Sequence, residues 1–332
     1  MRIEAERIGI VKLGAIGDVV NSLPFVNRLR AGAPRARITW VIGPLAHQLV
    51  RGHPAVDEFF VVDVKRASSW DAIVGGLRER RFDLVIDLQR ILKSAGLALA
   101  SGAPRRLGFD RARCKEGSWL FTNEHIPENP RPGVTVEQYL EFADYLGCPP
   151  QAPRFDVPVA PFPAAPAGER RVVVHVGATK PANRWMPASW VRLVRRLVDD
   201  LGATVHFTGS ATECEEIEAI RTQLGHARGR TVSHAGRLTL QETGGLIRTA
   251  DLFVGPDTGP LHLAVALGTR VVALFGAADP ARTGPFRQPD DIVRHLVPCS
   301  PCRKRTCHVD GHPCMRDLDP DTVLEHARVH LA

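Results

Sequence analysis

The sequence predicts an α/β protein made of two Rossmann-like halves, each a parallel sheet with crossover helices. Three observations lead there. Short Val- and Ile-rich runs alternate with stretches of helical period in both halves, and a proline-rich segment interrupts that alternation near the middle. The 332-residue length also suits two cores better than one. With 44% hydrophobic and 24% charged residues, the composition is that of an ordinary globular chain. Its longest apolar runs are strand-sized, too short for a bilayer span. The first residues do not read as a signal peptide, so a cytoplasmic protein is expected.

In the first half, apolar runs place strands over 8–13, 38–42, 59–62 and 84–88. Helices are expected over 23–30, 45–51, 70–80 and 94–100. Residues 149–169 then hold seven prolines and little periodicity, which reads as a stiff linker. The expected division is a domain over 1–155, a linker over 156–169 and a domain over 170–332. Strands resume over 172–176, 204–208, 231–233, 252–254 and 271–275, with helices over 190–200, 213–224, 239–250, 259–266 and 320–331. In 239–250, Leu240, Gly244, Ile247 and Ala250 share one helical face. Ligands of such sheets sit at the carboxyl ends of the strands, so a cleft between the halves is the expected site.

Two strand-to-helix turns carry the chemistry. "KLGAIGDVV" (12–20) leaves a strand through Gly14 and Gly17 and brings Asp18 into the helix that follows. An acid is out of place in a phosphate loop, yet the positive end of a helix dipole favours a carboxylate. In "DLFVGPDTGPLHLAVALGTRVVALFG" (251–276), a strand runs into Asp257-Thr258-Gly259-Pro260, and a helix opens with His262 in its first turn. Either Asp257 and Thr258 cap that helix, or its N-terminal amides and dipole receive a diphosphate, with Gly259 allowing close backbone approach.

That run, followed by "DPARTGPF" (279–286), resembles the donor-site signature of glycosyltransferase family 9, the ADP-heptose:lipopolysaccharide heptosyltransferases. The opening "IVKLGAIGDVVNSLP" resembles the N-terminal loop of that family. "DLQRILKSAGLAL" (87–99) resembles its D-x-Q-G-x-x-K-S segment, and "NRWMPASW" (183–190) its K-R-W-P segment. The resemblance implies a GT-B fold, with the acceptor on the N-terminal domain and ADP-heptose on the C-terminal one. It implies inversion at the anomeric carbon, with no cofactor or metal for catalysis. Carried onto matching positions, it makes Asp18 the general base and assigns Asp257, Thr258, Gly259, Pro260 and His262 to the donor, with Thr179, Lys180 and Arg184 near its phosphates. Lys12, Gly17, Gln89, Lys93, Arg105 and Arg106 fall to the acceptor side. The chain departs from the family at Asn183, where lysine is usual, so Lys180 or Arg184 would take over that charge. It departs again at Arg90, which replaces a glycine.

The formal net charge is +7, largely from arginine. Guanidinium suits phosphates and carboxylates, so Lys93, Arg105, Arg106, Arg111 and Arg113 are either a solvated basic surface or contacts to an anionic acceptor or membrane surface. The implied acceptor is a lipid A carrying Kdo and heptose, with peripheral contact to the inner membrane, and a protein acceptor is the alternative. Cys299, Cys302, Cys307 and Cys314 are spaced closely enough to wrap a structural zinc or iron. They could equally be reduced thiols on a loop or a disulfide pair. Their segment favours the second of the core heptose additions. Cys114, Cys148 and Cys214 read as buried small hydrophobes.

Two other classes fit poorly. A nicotinamide oxidoreductase would show G-x-G-x-x-G after the first strand of a half, and neither half does. A nucleic-acid module would interleave aromatics with Arg303, Lys304 and Arg305, but only 6% of the chain is aromatic, so no nucleic-acid partner is expected.

Overall fold

The structure, a computed structural model, describes residues 3–65 and 70–332. The chain divides into two units, Met1–Pro158 and Val159–Ala332.

In the first unit the chain runs β1 (Arg7–Val11), α1 (Ile16–Gly32), β2 (Arg37–Ile42), α2 (Pro44–Val50), β3 (Glu58–Val61), α3 (Trp70–Glu79), β4 (Leu84–Asp87), α4 (Leu92–Ala100), β5 (Arg105–Gly108), β6 (Glu124–His125) and α5 (Thr135–Tyr145). The strands form one six-stranded sheet, β3-β2-β1-β4-β5-β6, with every pair parallel. Helices shield the central strands on both sides, which is why β1 is a continuous buried run, with Ile8, Ile10 and Val11 at 1% exposure or less. The chain crosses from β1 to β2 on one side, while β4 pairs on the other. The loops after β1 and β4 therefore diverge at the switch point where such sheets bind ligands. Gly43 closes this end: a Cβ there would stand 2.4 Å from the Leu13 carbonyl oxygen, which accepts the Gly43 N–H at 3.1 Å.

The second unit repeats the plan with β7 (Arg170–His175), α6 (Pro187–Asp199), β8 (Ala203–Thr208), α7 (Cys214–Thr222), β9 (Thr231–Ser233), α8 (Leu240–Arg248), β10 (Leu252–Pro256), α9 (Gly259–Ala266), β11 (Arg270–Leu274), α10 (Pro280–Thr283), β12 (Ile292–Val293), α11 (Pro313–Arg316) and α12 (Pro320–Leu331). Its sheet, β12-β11-β10-β7-β8-β9, is again parallel and in the same relative order. Its switch point lies between β7 and β10. Trp185 and Trp190 meet edge to face at 4.8 Å in the core, and the Trp185 indole N–H donates to Leu318 O at 3.1 Å.

The α/β plan with two parallel sheets is as expected, but several elements were not foreseen. β5 reads Arg-Arg-Leu-Gly, β6 and β12 have two residues each, and α5 follows a loop without apolar rhythm. α1 begins at Ile16, before the expected 23, so Asp18 sits within its first turn. Of the three scattered cysteines only Cys148 is fully buried. Cys114 and Cys214 are half-buried and aim their thiols at the carbonyls of Phe109 and Ala235. Among the described residues no helix is long and apolar enough to cross a membrane.

Candidate functional site

In the first unit the loops after β1 and β4 assemble one charged group. Lys12 is only 2% exposed, yet its ammonium lies 3.3 Å from Asp18 Oδ2 and 3.4 Å from Leu88 O. It also stands 5.2 Å from the centre of the Tyr139 ring. Burial works against the Lys12 charge, but Asp18 and the Tyr139 hydroxyl outweigh it, and its pKa lies above the ordinary value. The backbone beneath is fixed as well: Lys12 N–H donates to Val41 O at 3.1 Å, and Lys12 O accepts the Trp40 indole N–H at 3.1 Å. Asp18 keeps 39% of its side chain exposed. Its carboxylate is therefore held by Lys12 and partly exposed, at the positive end of α1. Gly17 is buried beside it.

Asp87 completes the group. It accepts from Gln89 N–H at 2.9 Å and from the Ser94 hydroxyl at 3.0 Å. Burial raises its pKa to about 6, against the opposing pull of those two donors and of Lys12. Gln89 reaches across the switch point, its side-chain oxygen accepting Leu13 N–H at 2.7 Å. A cavity of about 430 Å³ opens on this end of the sheet, lined by the Leu13–Ile16 turn, Gly43–Ala46, Val62–Lys65, Gln89, Ile91 and Lys93. Leu13, Ile16, Leu45, Val62, Val64 and Ile91 give it apolar lining, and Lys65 and Lys93 bring positive charge beside the acid Asp63.

Arg105 and Arg106 are not part of this group, contrary to expectation. Arg105 aligns with Leu84, and Leu84 with Ile8, so β5 starts at the opposite end of the sheet from Asp18. There Arg105 forms a two-pronged pair with Glu124, at 3.0 and 2.8 Å. Arg106 donates to Phe121 O and Ala103 O. Both guanidiniums are committed to the edge of the sheet. Arg113 is likewise held by Asp110 and Glu141. Arg90, in the left-handed region at φ 64°, stacks 3.8 Å from the centre of the Phe109 ring. Arg111 lies over the Trp119 ring at 4.8 Å.

In the second unit the equivalent loops follow β7 and β10. Thr258 is the residue before α9, but its hydroxyl turns to Pro256 O at 3.2 Å and caps nothing. Asp257 does not cap the helix either. One of its oxygens lies 3.3 Å from His262 Nε2 and the other accepts the Thr283 hydroxyl at 3.2 Å. The positive end of the α9 dipole, where first-turn amides lack partners within the helix, thus meets this loop. Pro260, which has no N–H, occupies a position where none is needed. Asn183, 4% exposed, donates its side-chain N–H to Asp257 O at 3.2 Å and so ties the turn after β7 to this loop. Thr179 is exposed and Lys180 half-buried on that turn. Arg184, by contrast, is drawn away to Glu216 at 3.3 Å and Glu213 at 3.8 Å. Below the turn, His175 bonds the Thr208 hydroxyl at 3.1 Å, and burial depresses its pKa to about 4, so it is neutral at physiological pH.

The expected zinc or iron at Cys299, Cys302, Cys307 and Cys314 is not supported. Among the described residues no group of three or more His, Cys, Asp or Glu side chains could hold a metal ion, and all four cysteines are free thiols. The sulfurs are used otherwise. Cys314 is buried on α11 against Gly276, where a Cβ would lie 3.0 Å from Sγ. Burial first, then the neighbouring Cys307, Cys299 and Cys302, raise its pKa to about 11. The Cys307 thiol donates to Val309 O at 3.4 Å.

The profile of glycosyltransferase family 9 (heptosyltransferase) matches residues 70–312, most of the chain. The chain belongs to glycosyltransferase family 9. It is 26% identical over 295 residues to the lipopolysaccharide core heptosyltransferase OpsX of Haemophilus influenzae, covering 86% of this chain and 83% of that protein. The family 9 glycosyltransferase of Veillonella parvula superposes with a TM-score of 0.80 at 20% identity, over 100% of this chain and 98% of that one. The ADP-heptose LPS heptosyltransferase II of E. coli superposes with a TM-score of 0.78 at 23% identity, over 98% of each. The architecture is that of the GT-B glycosyltransferases, and the protein is a glycosyltransferase of the heptosyltransferase family. Sequence reasoning singled out Lys12, Asp18, Gln89, Asp257 and His262, which the fold does bring into the two loop clusters. It missed Asp87 as a partner of Lys12 and Gln89, Ser94 as a partner of Asp87, and Thr283 as a partner of Asp257, although all three lie inside the quoted motifs.

Proposed function

We propose that this family 9 enzyme transfers heptose from ADP-heptose to the inner core of lipopolysaccharide, the first unit taking the acceptor and the second the donor. The observation that carries this reading is the Asp18 carboxylate, held by a buried lysine at a sheet switch point and 39% exposed. As the acceptor hydroxyl attacks the anomeric carbon, its proton passes to Asp18. The new C–O bond forms as the bond to the diphosphate breaks, and ADP departs with the electron pair, inverting the anomeric centre. Lys12 holds the carboxylate in place. In the second unit, the α9 N-terminus and Lys180 stabilise the charge growing on the departing diphosphate. Asp257 fixes His262 and Thr283 around that helix entry. The names of the curated relatives, lipopolysaccharide core heptosyltransferases, support the acceptor.

The test is turnover of ADP-heptose with Kdo2-lipid A, with heptosylated inner core and with a protein acceptor, alongside Asp18→Asn. Wild-type enzyme should transfer to an inner-core acceptor. Asp18→Asn should lose roughly 10²–10⁴-fold in kcat while still binding ADP. Near-normal turnover by Asp18→Asn would remove the assigned base, and transfer to protein alone would overturn the acceptor.

A further inference from the structure

The cysteine-bearing segment has no part in the chemistry above, yet its backbone contacts converge on the donor loops. At one end, Arg303 N–H donates to Ala277 O at 2.8 Å and the Ser300 hydroxyl bonds Gly276 O, both just past β11. At the other end, Arg305 O accepts Ala182 N–H at 3.1 Å, and His312 Nε2 lies 3.0 Å from Ala182 O, in the turn after β7. In the sheet, β10 lies between β11 and β7. The segment therefore ties together the two loops that flank the Asp257–Thr258 loop. The next residue after Ala182 is Asn183, whose amide holds Asp257 O. A short path thus runs from His312 through the 181–183 turn to the donor site.

We infer that His312 is a positioning residue for the donor site, acting through the Ala182 carbonyl. The inference rests on the donor site proposed above. A carbonyl only accepts, so the ring nitrogen facing it must carry the proton. His312 holds that geometry from a left-handed backbone, at φ 49° and ψ 56°, at the residue before α11. Left-handed backbone suits histidine and asparagine better than most residues. Gly276 lets α11 approach, because a Cβ there would stand 2.5 Å from Met315 Sδ. The peptide planes at Ala182 and Asn183 are thereby pinned on both sides.

Calorimetric titration of ADP into three full-length proteins tests this, with steady-state kinetics on ADP-heptose. His312→Asn keeps a residue suited to the backbone but cannot reach Ala182, whereas His312→Gln restores an N–H at similar reach. His312→Asn should weaken ADP binding and raise the donor KM about five- to tenfold, the order of one lost hydrogen bond. Its kcat at saturating donor should stay within about twofold, and His312→Gln should return ADP affinity to within about twofold of wild type. Amide exchange at Asn183 should speed up in His312→Asn and recover in His312→Gln, a readout that needs no turnover. Unchanged ADP affinity in His312→Asn, or failure of His312→Gln to restore it, would overturn the inference. Wild-type protein that does not bind ADP would instead overturn the donor site itself, and this role with it.

Discussion

Asp87→Asn gives a sharp test of the charged group in the first unit. The wild-type carboxyl is 4% exposed and its pKa is raised from 3.8 to about 6, with burial the largest cause. The folded state therefore holds the Asp87 proton more tightly than the unfolded chain does. The stability that this proton confers is fully present below pH 3.8 and is lost as pH rises through 6. The interval from 3.8 to about 6, at 1.36 kcal/mol per pH unit, amounts to about 3 kcal/mol. Asparagine keeps the shape: its oxygen can accept the Gln89 N–H, and the Ser94 hydroxyl can turn to accept from its amide. The variant should therefore gain on wild type by about 3 kcal/mol between pH 3.8 and pH 7. Native-state hydrogen exchange in rising urea, read on peptides covering β1 and β4 from pH 4 to 7.5, measures the gap between the two proteins. A gap that stays constant over that range would refute the assigned burial of the charge. A confirmed gap would mean that this loop keeps an ionised carboxylate at neutral pH against its own stability.

Two further outcomes follow from the same geometry. Lys12→Met keeps the buried volume but removes the ammonium beside Asp18, so kcat should fall roughly 10²-fold while far-UV circular dichroism stays near wild type. Arg105→Gln breaks the pair with Glu124 at the far end of the sheet. It should leave the acceptor KM within about twofold and cost about 1 kcal/mol of stability, read by urea unfolding.

How much of the site could be read from the sequence depended on whether the partners were local. The turn from β1 into α1 showed itself through Gly14, Gly17 and Asp18, because a strand, a glycine turn and a helix start are adjacent in the chain. The Asp257–His262 run was legible for the same reason. The partnership of Lys12 with Leu88 and Asp87 was not, because it exists only once β1 and β4 pair side by side. Arg105 misled because its partner Glu124 lies on a two-residue strand, and so short a strand is set by its neighbours and not by its own propensity. The cysteines misled for a related reason: their spacing fits a metal, but the packing of α11 against Gly276 turns Cys314 inward.

The shared strand order has an evolutionary consequence. In each unit the loops that carry the charged groups spring from the two central strands, whose positions are fixed by pairing on both sides. The walls of the first-unit cavity are shared between those loops and the ones after β2 and β3, nearer the rim. Leu45, Val64 and Lys65 can therefore be exchanged to reshape the cavity while Lys12 and Asp18 stay in register. Variety in a cavity wall beside an unchanged charged group is a property this layout makes easy to acquire.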